Sequence, residues 1–357
     1  RRSSDLEMKR IFIALSICMP AALFAGNPDR TGEAGASELL INPWAQSSGW
    51  YGLNIASVRG VEAPNLNVAG MAFIDGSQLE FCRTEWLVGS EISLNTFGFA
   101  TKVGEGALGL TLTSMDLGEI EVTTTENPDG TGAVYRPRFS NIGLSYARRF
   151  ADYLTGGLTV RVISESISDA KAIGVAMDVG IQYISGTKEH PEKIKMGIAL
   201  RNVGTPMKFS GDGLSFRGDI PGADYSMTTE FRSESFELPS LLTIGVSYDF
   251  FFGSTNRLTA VGNFVSNSFY KDQFGAGLEY ALKVKNIDMF MLRAGYRYES
   301  GITSDEERTS ASTGIAAGLT FQYPLDDLNR SMVSLSYSYR TSYQYEGSHA
   351  FGLRLSF

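Results

Sequence analysis

From about residue 77 to the end of the chain, apolar and polar positions alternate with a period of two. Ile173, Val175, Met177, Val179, Ile181 and Tyr183 share one face, opposed by Gly174, Ala176, Asp178, Gly180 and Gln182. Val333, Leu335, Tyr337 and Tyr339 oppose Ser334, Ser336, Ser338 and Arg340, and the last residues set Phe351, Leu353, Leu355 and Phe357 against Gly352, Arg354 and Ser356. Strand side chains point alternately to two faces, so this pattern predicts strands with one apolar face and one small or polar face. Sustained 3.6-residue periodicity is almost missing after residue 50. A single such strand fits a β-sandwich with its apolar face buried, or a barrel with that face against lipid.

Strand number and turn length favour the barrel. Fourteen strands are predicted, over 77–84, 90–102, 106–125, 137–150, 154–165, 171–186, 192–203, 238–250, 257–268, 273–285, 287–300, 311–323, 330–343 and 348–357. Many reach the length that a tilted membrane strand needs, beyond that of most soluble strands. With the C-terminus in the periplasm, the inner turns are the short stretches KVGEG, FADY, TKEHP, FFGSTN and PLDDLN. The longest excursions, 126–136, 204–237 and 301–310, then fall on the outer side, an asymmetry typical of outer-membrane barrels. Phe150 and Tyr153, Phe250 to Phe252, Tyr296 and Tyr298, and Tyr343 and Tyr345 gather near strand ends. They suit an interfacial girdle, though aromatics are also good strand formers. The terminal Phe357 resembles the assembly signal of bacterial outer-membrane barrels. The expected class is therefore all-β: a 14-stranded antiparallel transmembrane outer-membrane β-barrel.

The N-terminal end changes the picture further. Lys9 and Arg10, an apolar stretch from Ile11 to about Leu23, and small residues at Ala25 and Gly26 predict a secretory signal peptide over 8–25, with cleavage after Ala25. Met8 reads as the start, and 1–7 as upstream sequence. Ile17 stands where a lipoprotein signal would place a small residue before Cys18, which argues against lipidation. Cleavage would leave Cys82 alone, with no intramolecular disulfide. The formal net charge is −8, and loss of the leader would make the chain more acidic, so nucleic acid is a poor partner. Beyond the leader there is no run of eighteen apolar residues, which leaves a barrel as the way across a bilayer.

Residues 26–76 precede the barrel at 77–357 and do not alternate. A short helix is predicted near 34–40, stopped by Asn42 and Pro43. Trp44, Trp50 and Tyr51 lie too close together for a polar tail, so the segment is expected to plug the lumen. AGASELLINPWAQSSG, with Asn42 and Pro43, resembles the hatch of FadL-type transporters of hydrophobic compounds. With RGVEAPNLNVAGMA, LEFCRTEWL, LGEIEVTTTENPDGTG, IGLSYARRF and RNVGTPMKFSG, the stretch from 32 to 211 resembles the PorV/PorQ family of FadL-like barrels. The resemblance implies a barrel of the bacterial outer membrane that takes part in type IX protein secretion. It would bind the C-terminal signal domain of secreted cargo and pass it from a large translocon to the surface attachment machinery. The alternative is a FadL-like transporter of hydrophobic small molecules, which predicts a continuous apolar pocket and a gap in the barrel wall; a purely structural barrel is a third reading. Outer-membrane lipid is an expected partner.

Candidate chemistry is sparse. The two histidines are His190 and His349, and Ser348 beside His349 would point to the opposite strand face, so the pair makes no hydrolase site. No nucleophile elbow, P-loop or metal-spaced His/Cys cluster occurs, and no enzyme, cofactor or metal is expected. Arg161, Asp178, Glu279, Lys283 and Arg354 are expected to face the lumen and to pair across it. In 126–136, Glu126 and Asp129 fit turn chemistry better than a cation site. Loop 204–237 is the candidate contact surface, through Met207, Phe209, Phe216, Tyr225 and Phe231, with Leu214, Met227 and Phe236 beside them. It either meets a protein partner or folds inward over the barrel mouth.

Overall fold

The computed structural model describes residue 30 and residues 32–219, 225–284, 287–326 and 331–357, so the predicted leader 8–25 lies outside the described residues. The barrel strands are β1 (Ser77–Trp86), β2 (Ile92–Val103), β3 (Gly106–Asp116), β4 (Arg138–Ala151), β5 (Leu154–Ile167), β6 (Ala170–Ser185) and β7 (Ile194–Gly204). They continue as β8 (Leu241–Phe252), β9 (Asn256–Asn267), β10 (Gln273–Val284), β11 (Ile287–Glu299), β12 (Ser312–Pro324), β13 (Met332–Ser342) and β14 (Ser348–Ser356). Each pairs antiparallel with its neighbours in sequence, and β1 pairs with β14 from Gln78 opposite Ser356 to Glu85 opposite His349. Ser77 N donates to Phe357 O at 2.6 Å and Phe357 N to Ser77 O at 2.9 Å, so the terminal strand completes the ring and leaves no open edge.

The alternation sorts as expected. Along β6 buried and exposed residues alternate without a break. The exposed set carries Ile142, Leu144, Ile173, Ile181, Leu292 and Leu335, an apolar belt matched to hydrocarbon. No described helix is long and apolar enough to cross a membrane; the strands form the wall.

One strand ends early. The third was expected to run to 125, but β3 stops at Asp116, whose Oδ1 accepts from Gly118 N at 3.0 Å while Gly118 turns at φ +81°. The following residues form a small ribbon beyond the wall, Ile120–Glu121 with Val134–Tyr135.

Residues 36–74 fill the lumen. In place of the helix expected near 34–40, Ser37–Leu40 forms a 3₁₀ turn, followed by the short helices Ala45–Ser48 and Ala63–Leu66 and the 3₁₀ run Val68–Phe73. Trp44, Leu53, Ile55, Val61, Val68 and Met71 are almost wholly buried. This hatch runs around the inside of the wall. Ala45 meets β14, Gly49 β12, Trp50 β11, Leu53 β10, Ile55 β8 and β7, Asn67 β6, Val68 β5 and Met71 β3, each at a lumen-facing glycine. A Cβ on Gly295 would lie 2.6 Å from Trp50 O, and one on Gly318 2.7 Å from Gly49 Cα, so the hatch backbone lies where a wall side chain would otherwise stand. Asn67 Nδ2 fastens it by donating to the carbonyls of Ile55, Ile181 and Ile198.

Candidate functional site

Among the described residues, a cavity lies at each end of the hatch inside the barrel. The cavity at the short-turn end has a volume of about 760 Å³ and is lined by Asn54, Val58, Glu62, Lys195, Asp249, Arg257, Glu279, Lys283 and Arg354, with His190 and Phe251 stacked 3.9 Å apart at its rim. The cavity at the long-loop end, about 370 Å³, has an apolar floor of Leu40, Ile41, Leu53, Ile55 and Leu66 from the hatch, facing Leu241 and Val265 of the wall. Trp50 and Asn54 line the first, while Tyr51, Leu53 and Ile55 line the second, so successive hatch residues separate the two.

At the short-turn end the charges pair. Lys195 Nζ lies 2.5 Å from Asp249, and Arg293 Nε lies 2.6 Å from Glu279. Arg257 reaches Glu279 at 3.1 Å and Asp288 at 2.8 Å. Arg354 joins β14 to hatch and wall together, at 2.6 Å from Glu62 and 2.7 Å from Glu80. Midway up the wall, Arg161 meets Asp178 at 2.8 Å. Arg161, Asp178, Glu279 and Arg354 thus face the lumen and are paired, but to neighbouring wall strands and the hatch and not across the lumen as expected, because adjacent strands bring opposite charges within reach. Lys283 reaches the inner cavity. A buried pair that loses one partner leaves an uncompensated charge, so these networks rigidify the hatch seat.

The outer cavity is different. Arg201, Arg297 and Arg340 line it, and its one acidic lining residue, Glu299, already accepts from Gln273 at 2.7 Å and Thr309 at 2.7 Å. Arg340 is 5% exposed, and its Nε and Nη2 have no hydrogen-bond partner. Its guanidinium stacks over Trp86 at 4.7 Å, as Arg297 does over Tyr51 at 4.0 Å. Arg201 gives one N–H to Asn65 O and leaves Nε unpartnered. A bulge places it: Val179 faces Leu200 and Met177 faces Val203, with Asn202 at φ +58° donating its N–H to Asp178 Oδ1 at 2.6 Å. None of these arginines stood out in the sequence. For Arg297 and Arg340 the available signal was a cation at a lumen-facing position with no acid opposite it on the paired strands; Arg201 has Asp178 across the β6–β7 bulge.

The plug residues Asn42, Pro43, Trp44 and Trp50 all lie within the lumen. Asn42 Oδ1 accepts from Trp44 N at 3.2 Å, its Nδ2 donates to Ser47 Oγ at 2.9 Å, and Pro43 O accepts from Thr84 on the wall at 3.2 Å. Loop 204–237 divides in two. Met207 is fully buried with Ala36, Leu39 and Ile163, flanked by Phe209 and Phe236, so this part covers the mouth and Met207 offers no exposed contact. The ribbon Ser215–Asp219 with Ser226–Glu230 stands clear, carrying the stacked Phe216 and Phe231 (4.3 Å) and exposed Tyr225 and Met227. The loop is tied to the hatch by Gly35 N donating to Glu237 O at 3.0 Å and by Arg30 on Glu237 at 2.9 Å. Ser348 and His349 face opposite sides of β14: Ser348 Oγ accepts from Leu87 N, and His349 Nδ1 bonds Tyr337 Oη on the outer face. No group of three or more metal-ligating side chains occurs among the described residues.

No protein-family pattern and no curated sequence matches the chain. Solved structures do. The Pseudomonas putida toluene transporter TodX is 15% identical, with 88% of this chain and 97% of that one covered at a TM-score of 0.56. The CymD monoaromatic hydrocarbon channel is 14% identical, covering 89% and 98% at 0.53. A Pseudomonas aeruginosa FadL homologue is 12% identical, covering 88% and 97% at 0.50. With its closed ring of fourteen strands around an N-terminal hatch, the chain has the fold of the FadL-type outer-membrane barrels.

Proposed function

We propose that this chain is a non-enzymatic protein of the bacterial outer membrane that takes up a hydrophobic small molecule through its outer cavity. The observation that carries the reading is the apolar floor made by Leu40, Ile41, Leu53, Ile55 and Leu66 inside a barrel whose outer face suits lipid. The likeness to channels for monoaromatic hydrocarbons supports it. Two features bear on the transport path: the hatch stands between a cavity at each end of the lumen, and the ring of strands is closed, with a register break in β12 between Ser312 and Ala316 beside the outer cavity. Passage therefore requires the hatch to shift, and with the hatch in its described position a ligand would bind at the outer end. Equilibrium dialysis of toluene against the detergent-solubilised barrel tests this. One toluene per barrel is expected, lost when Val265→Trp fills the cavity; equal uptake by both proteins overturns the reading.

A second reading, the type IX shuttle of PorV/PorQ type, is favoured by the exposed Phe216 and Phe231 stack on its ribbon clear of the wall. Aromatic residues held rigid and exposed suit a protein partner. Under this reading, replacing Phe216 and Phe231 with Ser leaves barrel insertion intact and lowers co-purification of secreted proteins sharing a C-terminal signal domain. Unchanged recovery removes the ribbon from the mechanism.

A further inference from the structure

The outer cavity has more cationic character than a neutral hydrocarbon can use. Three guanidinium groups line it against one carboxylate, and that carboxylate is already bonded to Gln273 and Thr309. Arg297 lies near enough to both Arg201 and Arg340 for their charges to interact, so the three form one cluster and not three separate ion pairs. Asp178 also faces Arg201, but it serves Arg161 and the Asn202 N–H. Nε and Nη2 of Arg340 have no hydrogen-bond partner, and Arg297 stacks on Tyr51. Burying the unpartnered N–H groups of Arg201 and Arg340 is costly, and the three neighbouring cations repel one another. Elsewhere in the same lumen the arginines have acids: Arg354 has Glu62 and Glu80, and Arg257 has Glu279 and Asp288. The outer cluster is the exception, and it opens into a space next to the apolar floor.

We infer that the outer cavity binds a compact organic anion carrying two negative charges, its acid group held by Arg201, Arg297 and Arg340 and its apolar part laid on Leu40, Leu53 and Leu66. The inference deepens the small-molecule reading and rests on it. Three cations set against the lone Glu299 leave an excess of two positive charges for the ligand to neutralise. The fork of N–H donors on arginine matches the paired oxygens of a phosphate monoester or dicarboxylate. The cavity volume of about 370 Å³ suits one ring or a short chain beside that group.

The test is a charge series on the intact barrel in detergent at pH 8: phenyl phosphate, which carries nearly two charges there, benzoate with one, and toluene with none. Binding is expected to tighten in the order toluene, benzoate, phenyl phosphate, with Trp86 fluorescence reporting occupancy beside Arg340. Arg340→Met should weaken phenyl phosphate by about tenfold or more while leaving toluene unchanged. Should that variant fail to insert, Arg297→Gln, at a half-buried position, gives the same comparison. Phenyl phosphate binding no tighter than toluene, or indifferent to both substitutions, overturns the anion site and leaves the hydrophobic reading standing. Benzoate equal to phenyl phosphate overturns the assignment of two charges. Failure of all three probes overturns both readings together.

Discussion

Glu38 sits on the first hatch turn against β5. Burial, with Glu165 nearby as a second cause, pushes its carboxyl up to about 8 from an ordinary 4.5. The sign follows from linkage: below about 4.5 folded and unfolded chains are both protonated, and between there and about 8 the unfolded chain loses a proton that the fold retains. Stability should therefore fall as pH rises through that window, and Glu38→Gln should flatten the fall. Melting temperatures of the two proteins between pH 5 and 8.5 check this, and parallel curves reject it. At this scale the sequence was informative about which face a charge takes, because alternation is local. Arg161 and Asp178 were placed correctly on the lumen side for that reason. The unpaired trio of Arg201, Arg297 and Arg340 was not legible, since those residues come from β7, β11 and β13 and meet only when the ring closes.

The hatch and the wall strands are keyed by glycine. At Gly295 a Cβ would come within 2.6 to 2.8 Å of Trp50 backbone atoms, whereas at Gly262 the nearest atom is 3.8 Å away. Gly295→Ala should cost about 1–3 kcal/mol by overpacking, with Gly262→Ala near neutral in the same denaturation assay. Equal effects would mean that the hatch does not rest on β11 as described. Lumen-facing glycines on successive strands were visible in the chain, as in Gly174 and Gly180, and a glycine inside a strand often marks close backbone approach. Their collective meaning was missed because each strand, read alone, needs only a small residue on a crowded face. The early end of β3 has a similarly local cause: alternation past Asp116 suggested a longer strand, and the Asp116–Gly118 turn diverts the chain. Of loop 204–237, the ends close over the hatch, which is the inward fold weighed for it, while the ribbon Ser215–Asp219 with Ser226–Glu230 is exposed.

Across the whole molecule, the hatch fills the ring between the two cavities. Removing residues 36–74 should convert a nearly silent barrel into an ion-conducting pore in planar bilayers, because the space between the two cavities is filled by hatch side chains. A deletion that inserts, shows heat-modifiable mobility and still conducts no current would show that the loops, and not the hatch, form the seal. By itself the sequence determined the strand number, nearly every strand boundary, the outward apolar face and the presence of a plug. These depend on a period of two and on turn chemistry, interactions that span a few residues. Only the tertiary structure decided the course of the hatch around the wall, the division of the lumen into a charge-paired inner cavity and a cation-rich outer one, and the burial of Met207 beside the exposure of Phe216. Those features depend on which residues face each other across a closed ring, a distance in space that no pattern along one strand records.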